Sequence, residues 1–420
     1  MPSMPSPTRS TVRRNRNRPL RRGLHVEALE RREVLAGNVT AQLVGSTLLL
    51  TGDALGNELV VASVTGGRVA VIGNDTTVNG STGSFVTARP VVSIIANLGG
   101  GNDGIGFGND AQGFADQFAE LGITPPPAPV ITALQTAIDD VANGATTFSL
   151  PGSLAITMDG GSDVVSLIGN VGGSLTANLG SAPTGEMSGN ALMIGGFHAG
   201  QASRVGGAVS IVGGAQRDAV ELVGTTVGGG LVVGLGNGAN SLNVYESSVA
   251  SLAYTGGGAD DDVDVADLGV RYGVSIVTGA GQDEVYVHEH GGPQTVVGAG
   301  MVINTGSGDD YVEISSAVRG GLSLVTGAGA DEVQIYETSV GLNAVINTDG
   351  GDDRVSIDLT QVRFNLFVSL GAGNDDLELT AIAAFAAFLD GGPGGNTLAI
   401  DDASRNAIRR LFVTRFQAVT

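Results

Sequence analysis

The chain has 420 residues, a formal net charge of −21, and 68 glycines, but no cysteine, tryptophan or lysine. The absence of cysteine excludes disulfides, thiol catalysis and zinc–thiolate sites, and the glycines lack the one-in-three period of collagen. Residues 1–33 contain nine Arg and three Glu, whereas the rest of the chain contains 12 Arg and 39 acidic residues. We expect this acidic body to repel nucleic acid and anionic membrane surfaces and to attract cations.

Residues 1–36 are predicted to be a disordered, basic leader or targeting segment. They lack the apolar core of a secretory signal peptide. The stretch Leu29–Leu35, LERREVL, resembles the LEPR-box segment near the N-terminus of many large surface or secreted proteins of planctomycete bacteria, with Arg31 in place of proline and Val34 in place of leucine. The resemblance implies export to the cell surface or the extracellular space. The alternative is a short amphipathic helix without a targeting role.

The body of the chain is an internal repeat with the pattern T-G-x-G-x-D-x-h-x-h, where h is aliphatic. Clear copies occupy residues 278–287, 305–314 and 326–335. Weaker members lie at Asn57 and Asp103. The Asp or Asn that closes each glycine turn recurs, mostly at steps of 21 or 22 residues, at positions 163, 190, 218, 240, 261, 283, 310, 331, 353, 375 and 396. Such a period is typical of a solenoid.

Each repeat predicts two or three short strands. Aliphatic residues stand at the second and fourth positions after the Asp or Asn, as in Val312 and Ile314, and this period of two indicates a strand with one buried face. One coil cannot bury that face alone, but stacked coils can. We therefore predict an all-β fold, a single-chain parallel β-helix or β-solenoid of about 22 residues per coil, with roughly 14 coils and a length on the order of 70 Å.

The repeat also predicts the domain boundaries. After the leader, we expect N-terminal β-repeats at 37–107, a helical insertion at 108–150, the parallel β-solenoid at 151–402 and a C-terminal cap at 403–420. Apolar residues at helical spacing on both sides of a triple proline predict the insertion. The amphipathic, arginine-containing tail is expected to cover the strand edges of the last coil.

The glycine–aspartate turns resemble the GGxGxD repeat of the RTX (repeats-in-toxin) calcium-binding proteins, most closely at 279–283, 327–331, 371–375 and 391–396. In that family, loop carbonyls and the Asp carboxylate bind calcium between stacked coils. The resemblance implies calcium as a cofactor, bound at Asp283, Asp310, Asp331, Asp353 and Asp375. This chain has one motif per coil, whereas that family has two. The alternative is that Asp or Asn closes a tight turn by accepting backbone N–H groups.

Signals for catalysis are sparse. The sequence contains no G-x-S-x-G, P-loop or H-E-x-x-H motif, and no residue is predicted to be catalytic. The densest acidic cluster comprises Asp260–Asp262, Asp264 and Asp267, with Arg271 nearby. Parallel β-helix polysaccharide lyases use acidic clusters with calcium and an arginine base, so this cluster is the candidate site of a carbohydrate-active enzyme. The alternative is acids on a solvated strand face.

Two smaller features of the sequence bear on ligand binding. The run His288-Glu289-His290 is expected to be a solvated loop rather than a metal site, because adjacent strand positions point to opposite faces. Tyr286, Tyr311 and Tyr336 recur at the outward positions of successive repeats. Such rings could form a stacking platform for sugars.

The regularity of the coils from residue 218 to residue 400 favours a non-enzymatic, exported β-solenoid that serves as a structural or adhesive module at the cell surface, stabilised by calcium. The alternative is a polysaccharide lyase or hydrolase that uses Asp261–Asp267. The expected partners are calcium and polysaccharide or other surface components, and not nucleic acid. The longest apolar run, near Ala381–Leu389, is too short for a membrane-spanning helix. The oligomeric state stays open.

Overall fold

The computed structural model describes residues 37–420 except 121–127, 143, 145, 182–188 and 197–201. The predicted leader at 1–36 therefore lies outside the described residues. The described chain is the predicted all-β parallel solenoid with a small helical insertion, and its strands form one sheet of 25 strands and one of 16. Each regular coil contributes a strand before the glycine turn, a strand after it, and a short third strand.

We call the three stacks of strands the first, second and third faces. Strands of the first face precede the glycine turns at Thr47–Thr51, Ser93–Asn97, Leu154–Thr157, Leu175–Asn178, Val209–Val212, Gly230–Gly234, Ser251–Thr255, Val274–Ala280, Met301–Ser307, Leu322–Val325, Ala344–Asn347, Gln361–Ser369, Ala383–Asp390 and Leu411–Thr414. Two of these strands, Gln361–Ser369 and Ala383–Asp390, begin on the third face and continue onto the first.

Strands of the second face follow the turns at Glu58–Val64, Gly104–Phe107, Val164–Leu167, Gly189–Gly195, Arg217–Val223, Ser241–Tyr245, Asp262–Ala266, Glu284–His288, Tyr311–Ile314, Glu332–Tyr336, Arg354–Asp358, Asp376–Thr380, Thr397–Ile400 and Ala418–Val419. Short strands of the third face lie at Phe148–Leu150, Gly169–Val171, Ser203–Val205, Thr225–Val227, Ser248–Val249, Gly269–Val270, Thr295–Val297, Ser316–Val318 and Ser339–Val340. Neighbouring coils pair in parallel, with equivalent residues in register.

The aliphatic positions of the repeat form the core. On the second face, Val285, Val312 and Val333 stack in successive coils, and each is 0 % exposed. The alternate positions of the same strands are partly exposed. Burial of each such side chain is worth about 1.5–3 kcal/mol, and the paired strands of the neighbouring coils place equivalent valines beside it. The predicted columns are therefore confirmed, and they explain why the coils hold one register.

The N-terminal part differs from a simple series of parallel repeats. Asn38–Val44 pairs antiparallel with Thr47–Thr51, and Glu58–Val64 pairs antiparallel with Arg68–Gly73. A short strand at Phe85–Val86 extends the second hairpin, and another at Thr77–Val78 pairs in parallel with the first strand. Gly45, Gly66 and Gly67 have positive φ at the two hairpin turns, and such turns return the chain at once instead of continuing the coil.

The helical insertion is present as predicted. Helix α1 spans Ala111–Glu120 and helix α2 spans Ala128–Ala142. Phe114 of α1 and Ile138 of α2 pack with Val60, Ile72 and Ile168 in a small cluster separate from the main core. The insertion therefore covers the outside of the second face near its N-terminal end. None of the helices in the described residues is long and apolar enough to cross a membrane.

The C-terminal segment forms a short helix and then two strands that extend the solenoid. Helix α3 spans Asp402–Ala407, and the Asp401 carboxylate caps it by accepting the N–H of Ser404 at 2.7 Å. The strands Leu411–Thr414 and Ala418–Val419 then pair in parallel with the preceding coil. The segment predicted as a cap thus adds a partial coil of its own.

Candidate functional site

A continuous column of buried Asp and Asn side chains runs along the inner side of the glycine turns, and we call it the inner ladder. Its members are all 0–2 % exposed and comprise Asn57, Asp103, Asp163, Asn190, Asp218, Asn240, Asp261, Asp283, Asp310, Asp331, Asp353, Asp375 and Asn396. The five aspartates predicted as calcium ligands are consecutive members of this column. The structure therefore brings them together in sequence order, inside the protein.

From Asp103 onward, each inner-ladder side chain accepts a backbone N–H from the ladder residue of the preceding coil. The N–H of Asp283 donates to Oδ1 of Asp310 at 3.0 Å, and the N–H groups of Asp310 and Asp331 donate to the next carboxylates at the same distance. The same contact continues through the amide oxygen of Asn396 to the side chain of Gln417. The ladder therefore replaces strand pairing where each turn leaves the sheet.

The turns of successive coils can lie close enough to form this ladder only because glycine occupies defined positions in them. Gly308 has a φ of +134°, and a Cβ atom there would lie 1.6 Å from the carbonyl oxygen of Gly281 in the preceding coil. A side chain at this position would push the coils apart. The repeated glycine thus sets the close spacing at which one carboxylate reaches the next backbone N–H.

The second carboxylate oxygen of most ladder aspartates has no hydrogen-bond partner of normal geometry among the described residues, as at Asp310, Asp331, Asp353 and Asp375. Two ladder aspartates differ: the hydroxyl of Thr278 donates to Oδ2 of Asp283 at 2.6 Å, and the N–H of Gly214 donates to Oδ2 of Asp218 at 2.8 Å. Carboxylates removed from water favour the protonated form.

Burial accordingly raises the pKa of the ladder aspartates. It raises the pKa of Asp103 to about 7, and those of Asp163, Asp261, Asp310 and Asp353 to about 6. The pKa values of the remaining four are also raised, with burial as the largest cause, at Asp218, Asp283, Asp331 and Asp375. The ladder is therefore an array of acids that bind protons more readily than ordinary aspartates.

The geometry bears directly on the calcium prediction. Calcium takes about six to eight oxygen ligands, but one oxygen of each inner carboxylate already accepts a hydrogen bond from a backbone N–H. Outer aspartates of the same turns do likewise, since Asp309 accepts the N–H of Ala330 at 2.8 Å and Asp352 accepts that of Asn374 at 2.8 Å. Within the described ranges, no three His, Asp or Glu side chains are grouped to hold a metal ion. The arrangement suits turn closure better than a calcium column, and calcium binding stays a prediction.

The acidic cluster at Asp260–Asp267 is divided among several positions. Asp261 belongs to the inner ladder and accepts the N–H of Asn240, whereas Asp262 and Asp264 lie on the outer side of the second face. Asp267 lies in a shallow groove, where its two oxygens accept the N–H groups of His290 and Gly292 at 3.0 and 3.1 Å. The cluster therefore does not converge on one point.

The predicted arginine base is also separate from these acids. The Arg271 guanidinium lies over the ring of Tyr272, 5.5 Å from its centroid, just after the third-face strand Gly269–Val270. Asp264 instead contacts His288 and Tyr245 on the second face. No described contact joins Arg271 to the acidic cluster, so the acid and base groups that a lyase would need are not adjacent.

A hydrogen-bonded group of tyrosines and acids covers the outer side of the second face. The hydroxyl of Tyr245 donates to Asp264 at 2.8 Å, and those of Tyr311 and Tyr336 donate to the two oxygens of Glu313 at 2.9 and 2.6 Å. Burial, together with the contact to Glu313, raises the pKa of Tyr336 to about 12. The hydroxyls therefore stay protonated and hold the side chains against the sheet.

Two expectations for this surface need correction. His288 is not in a solvated loop, because it ends a second-face strand and its side chain is only 19 % exposed, with Nε2 3.0 Å from Asp264. The outward tyrosines are present, but the rings of Tyr286 and Tyr311 are tilted by 45° at a centroid distance of 5.4 Å. They do not form a flat platform.

A column of arginines lies at the corner that follows the third face, and no sequence pattern described above predicted it. Arg271, Arg319 and Arg363 each follow the last valine of a short third-face segment, at Val270, Val318 and Val362. Alignment of the repeats on that valine would have revealed them. Comparison of the whole chain with protein-family models, curated proteins and solved structures finds no match.

Proposed function

We propose that this chain is an exported, non-enzymatic β-solenoid that serves as a structural or adhesive module at the cell surface or in the extracellular space. The observation that carries the proposal is the unbroken parallel register of the second face from Asp262–Ala266 to Thr397–Ile400. The stretch LERREVL in the leader supports export through its resemblance to the LEPR box.

The distribution of chemical groups supports a structural role. The buried acids accept backbone N–H groups between coils, and the hydroxyls of Tyr245 and Tyr336 donate to acids of the neighbouring coils. Both sets of side chains tie one coil to the next. A stack held together in this way resists bending and local unfolding, because each coil is stabilised through its neighbours.

Two measurements test this proposal. A tagged full-length chain in its own cells should be found in the surface or extracellular fraction and should be labelled by antibody without lysis. The purified chain should leave acidic and neutral polysaccharides at their original length. Retention of the chain inside intact cells would overturn export.

The same assay decides on the carbohydrate-active alternative. Release of fragments from a polysaccharide would overturn the non-enzymatic role. Loss of that release in Asp264→Asn, with retention in Glu378→Gln, would assign the activity to the acidic cluster. Glu378 is a suitable control because it lies on the same face, exposed and five strands further along.

A further inference from the structure

The arginine column continues along one corner of the solenoid. The N–H of Arg271 donates to the carbonyl of Val249, that of Arg319 to Val297 and that of Arg409 to Ala384, so these residues occupy the same place in their coils. Register places Arg363 there too, beside Val362. Gly298 and Gly341 hold the position in intervening coils.

From Arg271 to Arg363, arginine and glycine alternate at this corner position in successive coils, and this alternation sets the distance between the arginines. Adjacent coils lie about 4.8 Å apart, so arginines in alternate coils are about 9.5 Å apart. At Gly341 a Cβ atom would lie 2.1 Å from the carbonyl oxygen of Arg319, so the intervening coil projects no side chain. The result is a groove of about 640 Å³ whose lining includes Arg319, Arg363, Arg409, Gln361, Ser339 and Phe385.

The charge around this groove is opposite to that of the protein as a whole. Arg271, Arg319, Arg363 and Arg409 are exposed, and the ion pairs found in the described residues do not include them. The third-face segments and the corners after them, such as 295–300, 316–321, 339–343 and 361–365, contain no Asp or Glu. Four of the 12 arginines after residue 33 thus lie in a stripe free of acids, on a chain of net charge −21.

We infer that this corner binds a linear anionic polysaccharide, with its carboxylate or sulfate groups on Arg319, Arg363 and Arg409. The inference deepens the adhesive role proposed above by naming the ligand class. Guanidinium groups pair well with carboxylate and sulfate oxygens. Positive charges about 9.5 Å apart suit a polymer that presents one anionic group per disaccharide to this corner, as an extended chain of uronic acids does when successive carboxylates point to opposite sides. The ring of Phe385 is 41 % exposed, and the part of it that the Arg410 guanidinium, 5.3 Å from its centroid, leaves open offers an apolar surface to a sugar.

Two other occupants fit less well. Nucleic acid carries one phosphate per nucleotide, a denser charge than this column provides, and the acidic body repels it. A second copy could offer its acidic second face, but that face is a sheet of 16 strands, which is too broad to enter a groove along one corner. Both occupants are outcomes of the test.

The test measures binding of the full chain to polygalacturonate, with dextran as the neutral polymer and duplex DNA as the competing polyanion. We expect binding to polygalacturonate alone, weakened by salt because the contacts are exposed. The double variant Arg319→Gln/Arg363→Gln should lose about tenfold in affinity. The control Arg217→Gln/Arg354→Gln removes the same charge from exposed second-face positions and should bind like the wild type.

Four results would overturn the inference: no binding to polygalacturonate, equal loss in both double variants, tighter binding to DNA, or self-association of the free chain that disappears in the groove variant. The last result would assign the groove to a second copy. Unchanged melting temperatures verify that the variants are folded. Failure of binding would leave the structural role intact, whereas cleavage of the polymer would overturn the non-enzymatic role without removing the binding site.

Discussion

The backbone N–H of Asp310 donates to Oδ1 of Asp331 at 3.0 Å, across 21 residues of sequence. Both residues close glycine turns, and both are 2 % exposed. The contact joins two coils at the corner where strand pairing is interrupted. Because the same contact recurs along the ladder, one side chain per coil determines whether the corners stay in register.

Removal of the Asp331 acceptor should destabilise the fold. Asp331→Ala leaves the Asp310 N–H buried without a partner, which costs roughly 1–3 kcal/mol. Asp331→Asn should be at least as stable as the wild type at neutral pH, because an amide avoids the buried charge whose desolvation raises the pKa of Asp331. Asn240 already shows that an amide can accept the ladder N–H and donate to a turn carbonyl, Gly236, at 3.2 Å.

Denaturant unfolding of the two variants checks this prediction. The exposed Glu378→Ala, on the second face, is the control and should lie within about 0.5 kcal/mol of the wild type. Equal stability of Asp331→Ala and the wild type would show that the ladder contact contributes nothing.

Stability should increase as the solution is acidified from about pH 8 to about pH 5. The pKa of Asp310 and Asp353 is raised to about 6 and that of Asp103 to about 7 in the folded chain, against about 3.9 when unfolded. The folded state therefore holds these protons more tightly. The resulting stabilisation of the folded state is fully present below about pH 4 and is lost as the pH rises through about 6 to 7.

Melting temperatures across this range measure the effect. The variant Asp310→Asn/Asp353→Asn should show a weaker dependence on pH, because an amide does not titrate there. A wild type that melts at higher temperature at about pH 8 than at about pH 5 would contradict the raised pKa values.

Calcium should leave the melting temperature unchanged if the ladder only closes turns. The geometry supports this expectation, since Oδ1 of each of Asp283, Asp310, Asp331 and Asp353 accepts a backbone N–H. A ligand that binds only the folded state raises its stability. A marked rise with millimolar calcium, reversed by chelator and absent in Asp331→Asn, would instead establish the calcium sites.

Replacement of Leu359 by asparagine should stabilise the protein. Leu359 has a φ of +47° and is 53 % exposed at the corner between the second and third faces. A left-handed backbone is costly for leucine and is better tolerated by asparagine, so the gain should be roughly 0.5–1 kcal/mol.

Thermal unfolding of Leu359→Asn tests whether relief of the left-handed backbone at this corner raises the stability. Leu342→Asn is the matched control, because Leu342 is 48 % exposed and is not among the positive-φ residues. The control should not gain stability. A similar gain in both variants would show that lost surface hydrophobicity, and not backbone conformation, is responsible.

The repeat by itself determined the coil and its core. Alternate aliphatic residues such as Val333 and Ile335 are local signals, because a strand places every second side chain on one face. The spacing of about 22 residues then required one coil to stack on the next. The helices of the insertion were equally readable, since their apolar residues follow the helical period.

Only the tertiary structure decided where the polar side chains lie. The partner of Asp103 is Asp163, 60 residues away across the helical insertion, and no local pattern specifies that its carboxylate points inward. The antiparallel hairpins before Gly73, the left-handed corner at Leu359 and the alignment of Arg319 with Arg363 also depend on how distant coils meet. Periodicity fixes which face of a strand is buried, but contacts between coils fix which polar atoms are paired there.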